Sequence, residues 1–464
     1  MIQLWPEQES TVELIREAYR KQLRAPLLVA PTGFGKTVVF SYIARTHVQK
    51  GGRVMILVHR EELLEQVSET LNKFDVPHGI VSPNYPFSRE HKVQVASVLT
   101  AVNRLGMLMA PTLLIVDEAH HCTGNTKFGR VLDWFRKAAF LGVTATPFRM
   151  GGEGLDDYFN ALIPGPTVQQ LIDAGRLSRF RVFCPSSPDL TSVHKRAGDY
   201  SAKELEKAIE HSGLTGDAVS HYKRLAEGKR GVAFCVSVKH AKDVAEDFNK
   251  AGYPAQAIDG GMPRDWRRDV IRDFRSGKLR ILTSCDLISE GFDVPGIEVG
   301  ISLRPTMSLG LWLQQFGRIL RTFEGKKEAI MLDHAGNALR HGLPTDPREY
   351  SLQGYRATRQ AERLASLKIC KNCFAANPGN VRVCLDCGHI IPVKERKVAQ
   401  RAGQLQELTD KYLEATRKAR QVGMAKDMNA LVELARKRGY RNPEGWAQHV
   451  WEGRLLKMQR KVAV

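Results

Sequence analysis

The sequence lacks any run of about 18 apolar residues, the length that a membrane-spanning helix needs. Its first residues, MIQLWPEQES, lack the basic and then apolar pattern of a secretory leader. Repeats at solenoid spacing and low-complexity tracts are also missing. We therefore predict a cytoplasmic protein with no membrane contact.

Acidic residues are scarce relative to basic ones. The chain has 50 Asp and Glu against 69 Lys and Arg, so its formal net charge is +19 at pH 7. A positive field of this size attracts polyanions, and nucleic acids are the commonest such partners. The plain alternative is a basic surface that serves no such partner.

Length and strand pattern indicate an α/β fold with two large domains. A chain of 464 residues exceeds what one hydrophobic core usually supports. Short apolar runs alternate with helix-like segments, as in parallel sheets buried on both faces. The runs are 26–30, 53–59, 112–117 and 140–146, and then 231–236, 255–260, 279–284, 298–303 and 328–333. We predict a first domain at 1–165, a linker or insertion at 166–222 and a second domain at 223–345.

The composition changes after the second domain, where four of the eight cysteines form two C-x2-C pairs separated by ten residues. Two such pairs can place four thiolates tetrahedrally around Zn²⁺ in a closed, structural site. Two disulfides or free thiols are the alternatives. We predict a zinc module at 365–392, followed by a basic helical tail at 395–464. The predicted ligands are Cys370, Cys373, Cys384 and Cys387.

The segment APTGFGKT, residues 30–37, follows an apolar run and precedes a helix-like stretch. Glycines in such a loop let backbone N–H groups approach phosphate oxygens, Lys36 adds a cation, and the Thr37 hydroxyl can bind Mg²⁺. Ala30 stands where the generic pattern has glycine. We predict that this loop binds the phosphates of ATP through Pro31, Thr32, Gly33, Phe34, Gly35, Lys36 and Thr37.

Two further motifs complete a hydrolytic site. In IVDEAHH, residues 115–121, Asp117 can hold Mg²⁺ and Glu118 can deprotonate the attacking water. In LQQFGRILR, Arg318 and Arg321 lie three residues apart on one helix face, where both can meet phosphate charge. Taken alone, adjacent acids or a helical arginine pair are common on protein surfaces. Beside a phosphate loop, they predict ATP hydrolysis.

Together these motifs resemble superfamily-2 DEAH-box helicases, in the order found in that family. The matching segments are WPEQ (5–8), the phosphate loop, VHREELLEQ (58–66), ASVLT (96–100), DEAH (117–120), TAT (144–146), FCVSVKHA (234–241), TSCDLISEGFDVP (283–295) and QQFGRILR (314–321). Among subgroups the chain looks most like the RadD-like bacterial and phage DNA-repair helicases, because LRPTMSLGLWLQQFGRILR is followed by LDHAGN and then by four cysteines.

The resemblance implies two RecA-like domains and a role for individual residues. Gln8 would recognise adenine, although Trp5 replaces the arginine often found in that motif. Gly291 and Asp293 would contact ribose and the seam between the domains, and Arg318 and Arg321 would act as arginine fingers. Thr144 and Thr146 would couple the ATP site to the nucleic-acid-binding face. The motifs that usually touch the nucleic-acid backbone supply His59, Arg60, Ser97, Thr144 and Thr283.

We therefore expect an ATP-dependent DNA helicase or translocase that uses ATP, Mg²⁺ and a structural Zn²⁺. Its substrate would be single-stranded or junction DNA, with RNA less favoured, in DNA repair, recombination or replication. Two alternatives are an RNA helicase and a remodelling or binding protein that uses ATP as a switch without separating strands. A P-loop enzyme of small-molecule metabolism would not need the arginine motif or the basic tail.

Overall fold

The computed structural model describes residues 3–122, 124, 126–148, 154–184, 195–196, 199–200, 214–285, 294, 296–354, 367–370, 372–378, 381–391, 422, 425 and 427–462. These residues form two compact units, Met1–Val393 and Lys394–Val464. Within the described ranges, the helices are too short or too polar to cross a bilayer.

The first sheet has seven parallel strands in the order β3-β4-β2-β5-β6-β1-β7. Its central strands are apolar and completely buried because helices cover both faces. The strands are β1 Pro26–Val29, β2 Val54–Val58, β3 His78–Val81, β4 Val93–Ser97, β5 Leu113–Asp117, β6 Ala139–Thr144 and β7 Ala161–Pro164. The helices are α1 Pro6–Arg20, α2 Lys36–Gln49, α3 Glu61–Lys73, α4 Val98–Asn103, α5 Lys127–Trp134 and α6 Val168–Asp173.

The second sheet has six parallel strands in the order β12-β13-β11-β14-β15-β8. A separate antiparallel hairpin has two strands of two residues each, β9 Lys195–Arg196 and β10 Asp199–Tyr200. The strands are β8 Phe180–Phe183, β11 Gly231–Phe234, β12 Ala255–Ile258, β13 Ile281–Ser284, β14 Val299–Ser302 and β15 Ala329–Asp333. The helices are α7 Leu214–Ala226, α8 Val238–Lys250, α9 Arg264–Ser276, α10 Leu309–Ile319 and α11 Asn337–His341.

The segment expected to link the two domains contributes directly to the second sheet. Strand β8 pairs in parallel with β15, with Phe180 opposite Ala329 and Phe183 opposite Leu332. Helix α7 also begins before residue 223. The segment predicted as a linker or insertion, 166–222, thus includes a strand of the second sheet, and pairing with a strand almost 150 residues away leaves no local signal in the sequence.

The cysteine segment forms a small antiparallel hairpin, β16 Leu367–Ile369 and β17 Ala376–Pro378. It packs against the edge strand of the second sheet, where Phe183 pairs with Ala375 and the N–H of Cys184 donates to the carbonyl of Phe374 at 3.1 Å. The side chain of Arg181 adds an ion pair with Asp386 at 2.7 Å. The hairpin thus covers a strand edge that would otherwise be exposed.

The described residues of the tail unit include two helices, α12 Met428–Lys437 and α13 Pro443–Val462. The sequence predicts that α13 starts with Asn442 as its N-cap and Pro443 in its first turn, and this prediction is confirmed. The carboxamide oxygen of Asn442 accepts the N–H of Gly445 at 2.9 Å. The apolar pattern predicted at Leu405, Leu408 and Tyr412 lies outside the described residues.

Candidate active site

The phosphate loop joins the end of β1 to the start of α2. Gly33 and Gly35 have φ angles of 94° and 84°, in the left-handed region that glycine adopts without strain. Gly35 is the N-cap of α2, so the free N–H groups of the first helical turn face the loop. The Lys36 ammonium donates to the carbonyl of Ala30 at 3.1 Å, within the same turn. Its pKa is lowered by burial, which the charges of Glu118 and Asp117 oppose.

The two acids lie at the end of β5, and the pKa values of their carboxyl groups shift in opposite directions. Burial, together with the charge of Glu118, raises the pKa of Asp117 to about 6. Burial also acts to raise the pKa of Glu118, but His120 and Lys36 lower it more strongly, so the net shift is downward. Glu118 has a φ of 51°, a left-handed conformation that is uncommon for a residue with a side chain. Glu118 is thus held as a carboxylate, as a general base requires.

Polar side-chain contacts connect Glu118 to the end of β6. The Nδ1 atom of His120 lies 3.3 Å from Oε2 of Glu118 and 3.1 Å from the hydroxyl of Thr144. That hydroxyl donates to the carbonyl of Thr146 at 2.9 Å. The path therefore runs from Glu118 to the TAT segment through side chains in direct contact.

The second domain completes the site through α10. Arg318 is 8% exposed on this helix, and Arg321 follows its C-terminal end. Burial lowers the pKa of the Arg321 guanidinium. The site is a cavity of about 380 Å³ lined from both domains by Trp5, Thr32, Gly33, Gly35, Lys36, Thr37, Leu63, Gln66, Asp117, Glu118, Arg176, Gln314, Arg318, Arg321 and Thr322. The phosphate-loop, acidic and arginine motifs therefore meet in one cleft.

The remaining predicted nucleotide contacts lie around this cleft. The Gln8 carboxamide is buried, accepting the N–H of Trp5 at 3.0 Å and donating to the carbonyl of Phe34 at 2.9 Å. The Phe34 side chain is also buried, so it supports the loop from beneath. Pro31 lines a neighbouring, largely apolar cavity of about 260 Å³. Gly291 and Asp293 lie outside the described residues.

Arg176 is a cleft residue that the motifs did not reveal. Its guanidinium lies 4.8 Å from the centre of the Trp5 ring, and its Nε atom is 3.7 Å from Oε2 of Glu7. It therefore covers one face of the indole that we expected near adenine. In the sequence, Arg176 lies between the two predicted domains, in a segment without a motif. The sequence therefore did not indicate that Arg176 belongs to the cleft.

The predicted nucleic-acid residues lie at or near the carboxyl ends of strands on both sheets but differ in exposure. His59 and Arg60 are partly exposed after β2, and the His59 ring lies 5.0 Å from that of His121. Ser97, Thr144 and Thr283 are buried, and the Thr283 hydroxyl donates to the carbonyl of Ala241. In this conformation, His59 and Arg60 present more side-chain surface than the three hydroxyl residues do.

The four cysteines form a cluster suited to a metal. Their sulfur atoms lie within 4.8 Å of one another, with 3.6 Å between Cys370 and Cys387 and 3.5 Å between Cys373 and Cys384. A tetrahedron with Zn–S bonds of about 2.3 Å has S···S distances of about 3.8 Å. Asn377 lies beside the cluster and donates to the Cys384 sulfur at 3.5 Å. The thiolate donor set and its hydrogen bonds fit Zn²⁺.

The cleft also offers suitable donors for Mg²⁺. The Thr37 hydroxyl and the Asp117 carboxylate line the same cavity and are hard oxygen donors, which this ion prefers. Lys36 is buried beside the two acids, so charged groups are already held together at this site. Mg²⁺ would there neutralise phosphate charge and orient the nucleotide.

Two protein-family models match the chain. Residues 1–149 match "Type III restriction enzyme, res subunit", and residues 216–323 match "Helicase conserved C-terminal domain". These ranges contain the phosphate loop and acids in the first case and the arginine motif in the second.

Several curated proteins are similar to the chain. A 51.5 kDa protein of a Lactococcus phage is 36% identical over 83% of the chain and 82% of its own length. A candidate mitochondrial ATP-dependent helicase, irc3 of Schizosaccharomyces pombe, is 29% identical over 75% of the chain, but the chain spans only 59% of that protein. The DNA 3'-5' translocase XPB2 of Sulfurisphaera tokodaii is 24% identical over 68% of the chain and 79% of its length. DEAD-box RNA helicases also match at about this level of identity.

Among solved structures, a fragment of a candidate HsdR subunit of a type I restriction enzyme from Vibrio vulnificus has a similar fold. Its TM-score is 0.58 at 21% identity, covering 72% of the chain and 65% of the fragment. This likeness confirms the predicted pair of RecA-like domains. The chain belongs to the superfamily-2 helicases, a class of enzymes that hydrolyse ATP.

Proposed function

We propose that this protein is an ATP-driven DNA helicase or translocase that acts in DNA repair, recombination or replication. One observation carries the proposal: both motor domains contribute charged side chains to a single cleft. Lys36, Asp117 and Glu118 come from the first domain, and Arg318 and Arg321 come from the second. A cleft of this kind links ATP binding and hydrolysis to the relative movement of the two domains.

In the proposed cycle, the phosphate-loop N–H groups and Lys36 bind the ATP phosphates. Thr37 and Asp117 would hold Mg²⁺, which neutralises phosphate charge. Glu118 would take a proton from the attacking water, since its lowered pKa keeps it ionised at neutral pH. Arg318 and Arg321 would stabilise negative charge that develops on the phosphate during transfer.

The side-chain contacts that lead from Glu118 through His120 offer a route from hydrolysis to the nucleic acid. His120 contacts both the Glu118 carboxylate and Thr144, so proton uptake by Glu118 changes the charge next to the TAT segment. Strand-end residues such as His59 and Arg60 would hold the nucleic-acid backbone. Contacts to backbone alone would give little dependence on sequence.

The RadD-like motif order and the DNA translocase among the relatives support DNA as the substrate. The net charge of +19 supports any nucleic acid equally well. RNA is the second candidate because DEAD-box RNA helicases are also similar to the chain. We further propose a structural role for Zn²⁺ in the cysteine module and DNA binding for the basic tail.

The test is to measure ATPase activity with single-stranded DNA, duplex DNA, forked DNA and RNA side by side, together with strand separation. We expect the largest stimulation with single-stranded or forked DNA, and unwinding of the fork. Stimulation by RNA alone would refute DNA as the substrate. Stimulation by DNA without unwinding or movement along the strand would identify an ATP-controlled switch instead.

Two variants test the catalytic assignment in the same assay. Lys36→Ala should abolish hydrolysis and weaken ATP binding, because it removes the cation that faces the phosphates. Glu118→Gln should retain ATP binding and lose turnover, because the carboxamide cannot accept the proton. If Glu118→Gln hydrolyses ATP as fast as the wild type, another group is the base.

A further inference from the structure

The main chain around Arg321 is held by a partly buried lysine that none of the motifs includes. Helix α10 ends at Ile319, and the carbonyl groups of a helix's last turn lack partners within the helix. The ammonium of Lys326 donates to the carbonyls of Arg321 at 2.7 Å, Ile297 at 2.9 Å and Ile319. An ammonium has three N–H groups, so all three have an acceptor here.

A tight turn brings the lysine back beneath the helix. The N–H of Lys326 donates to the carbonyl of Phe323 at 3.1 Å, and Gly325 takes a φ of 82°, where a side chain would be strained. The Lys326 ammonium also lies 5.4 Å from the centre of the Phe323 ring. The turn therefore fixes the distance between the lysine and the end of α10.

Burial makes this arrangement costly without the carbonyls. It lowers the pKa of Lys326 to about 7, which the charge of Glu298 opposes and that of Lys229 reinforces. A cation is retained at a buried position only where polar groups replace its water. The carbonyls at the C-terminal end of a helix are a favourable environment, since that end carries partial negative charge.

A second contact holds the same main chain from the segment that precedes β8. Arg321 pairs in antiparallel fashion with Leu177, and the N–H of Ser178 donates to the carbonyl of Leu320 at 2.8 Å. The Arg321 side chain meanwhile lines the ATP cavity. With its backbone fixed on two sides, the arginine needs no large rearrangement to meet a phosphate.

We propose that Lys326 is a positioning residue for ATP hydrolysis, holding the backbone of Arg321 so that its guanidinium faces the transferring phosphate. This inference rests on the proposed role of Arg321 as an arginine finger. Lys326 does not line the cleft and touches the reaction only through the arginine.

The test compares Lys326→Met with Lys229→Met in steady-state ATPase assays with saturating single-stranded DNA. Both changes remove a positive charge from the same neighbourhood, but the Lys229 ammonium pairs with the Glu298 carboxylate at 3.7 Å, whereas the Lys326 ammonium donates to carbonyls at the end of α10. We expect Lys326→Met to lower kcat by about tenfold with little change in KM for ATP, because only the transition-state contact is disturbed. Lys229→Met should stay close to wild type.

Arg321→Ala separates this proposal from the one on which it rests. If Lys326 acts through Arg321, the double variant Lys326→Met with Arg321→Ala should turn over no more slowly than Arg321→Ala alone. Wild-type turnover by Arg321→Ala would refute the arginine finger. Slow turnover by Arg321→Ala with normal turnover by Lys326→Met would refute the positioning role alone.

Thermal unfolding shows whether Lys326→Met remains folded. If it does not, Lys326→Gln takes its place, because the carboxamide keeps two N–H donors. For Lys326→Gln we expect a loss of kcat smaller than the roughly tenfold loss predicted for methionine, again at nearly constant KM. A loss confined to KM in either folded variant would overturn the proposal.

Discussion

Substituting Gly317 by alanine tests whether close contact between the two domains is required for turnover. Gly317 lies in α10, where the helix meets the phosphate loop. A Cβ atom added there would lie 2.3 Å from the Cβ of Thr32. That atom belongs to a short side chain in a tight loop, so it cannot swing aside as the end of a long side chain can.

The magnitude follows from two effects that act on different equilibria. Alanine favours a helix over glycine by about 1 kcal/mol, and this gain applies whether the cleft is open or closed. Overpacking costs about 1–3 kcal/mol, and this cost applies only when α10 lies against the loop. The closed state therefore loses about 1–3 kcal/mol, which corresponds to a drop in turnover of roughly 5- to 150-fold.

Gly310→Ala is the matched control because Gly310 lies in the same helix and faces the same domain. An added Cβ would lie 3.2 Å from the hydroxyl oxygen of Thr146, a contact that a small shift relieves. Both variants should unfold at or above the wild-type temperature. The assay is kcat with saturating ATP and single-stranded DNA, and only Gly317→Ala should be strongly impaired.

Equal turnover by the two glycine variants would refute the reasoning. It would mean that hydrolysis does not require α10 to pack on the phosphate loop as seen here. A fall in the unfolding temperature of Gly317→Ala would instead attribute the loss to a damaged second domain.

Three further predictions concern pH, zinc and salt. Turnover at limiting Mg²⁺ should fall as the pH drops from 7 to 5, because Asp117, with its pKa raised to about 6, becomes protonated and no longer binds the ion. Since this folded-state pKa exceeds the ordinary value of 3.8, Asp117 stabilises the fold most at low pH, and that contribution is lost as the pH rises through 6. Thermal unfolding measurements should therefore show that the protein is still folded where its activity is lost in acid. Replacing Cys384 and Cys387 by serine should release one Zn²⁺ per chain, expose the module to protease and weaken DNA binding, while basal ATPase activity survives. Metal analysis that finds no zinc in the reduced wild-type protein would contradict this prediction. DNA affinity should fall steeply with salt and vary little with sequence, whereas a flat salt titration would assign the basic surface to another partner.

The parts of the site that the sequence predicts are those where a short motif coincides with the end of a strand. Parallel strands have their carboxyl ends at one edge of a sheet, so the loop after β1 and the acids after β5 had to lie near each other. The arginine pair could be placed in the cleft only through its resemblance to a known motif. Nothing in LQQFGRILR itself states which surface the helix faces.

Residues whose contacts form only in the folded protein could not be predicted from the sequence, for a physical reason. Arg176 covers Trp5, and Lys326 holds the end of α10, but neither belongs to a periodic pattern or a motif. A lysine in a polar turn such as FEGKKE resembles any solvated charge. Its burial becomes visible only once the chain folds back beneath α10.

The end of α10 also shows why the arginine side chains could be predicted from the sequence and the contacts that hold their backbone could not. In the proposed mechanism, Arg318 in α10 and Arg321 just after it meet phosphate charge, so their residue type and spacing are chemically constrained and can be recognised in the sequence. The backbone under Arg321 needs only donors for carbonyl groups, and several residue types at several positions could supply them. Lys326 is therefore one solution among many, and its contribution has to be measured through the kcat of variants that leave Arg321 itself unchanged.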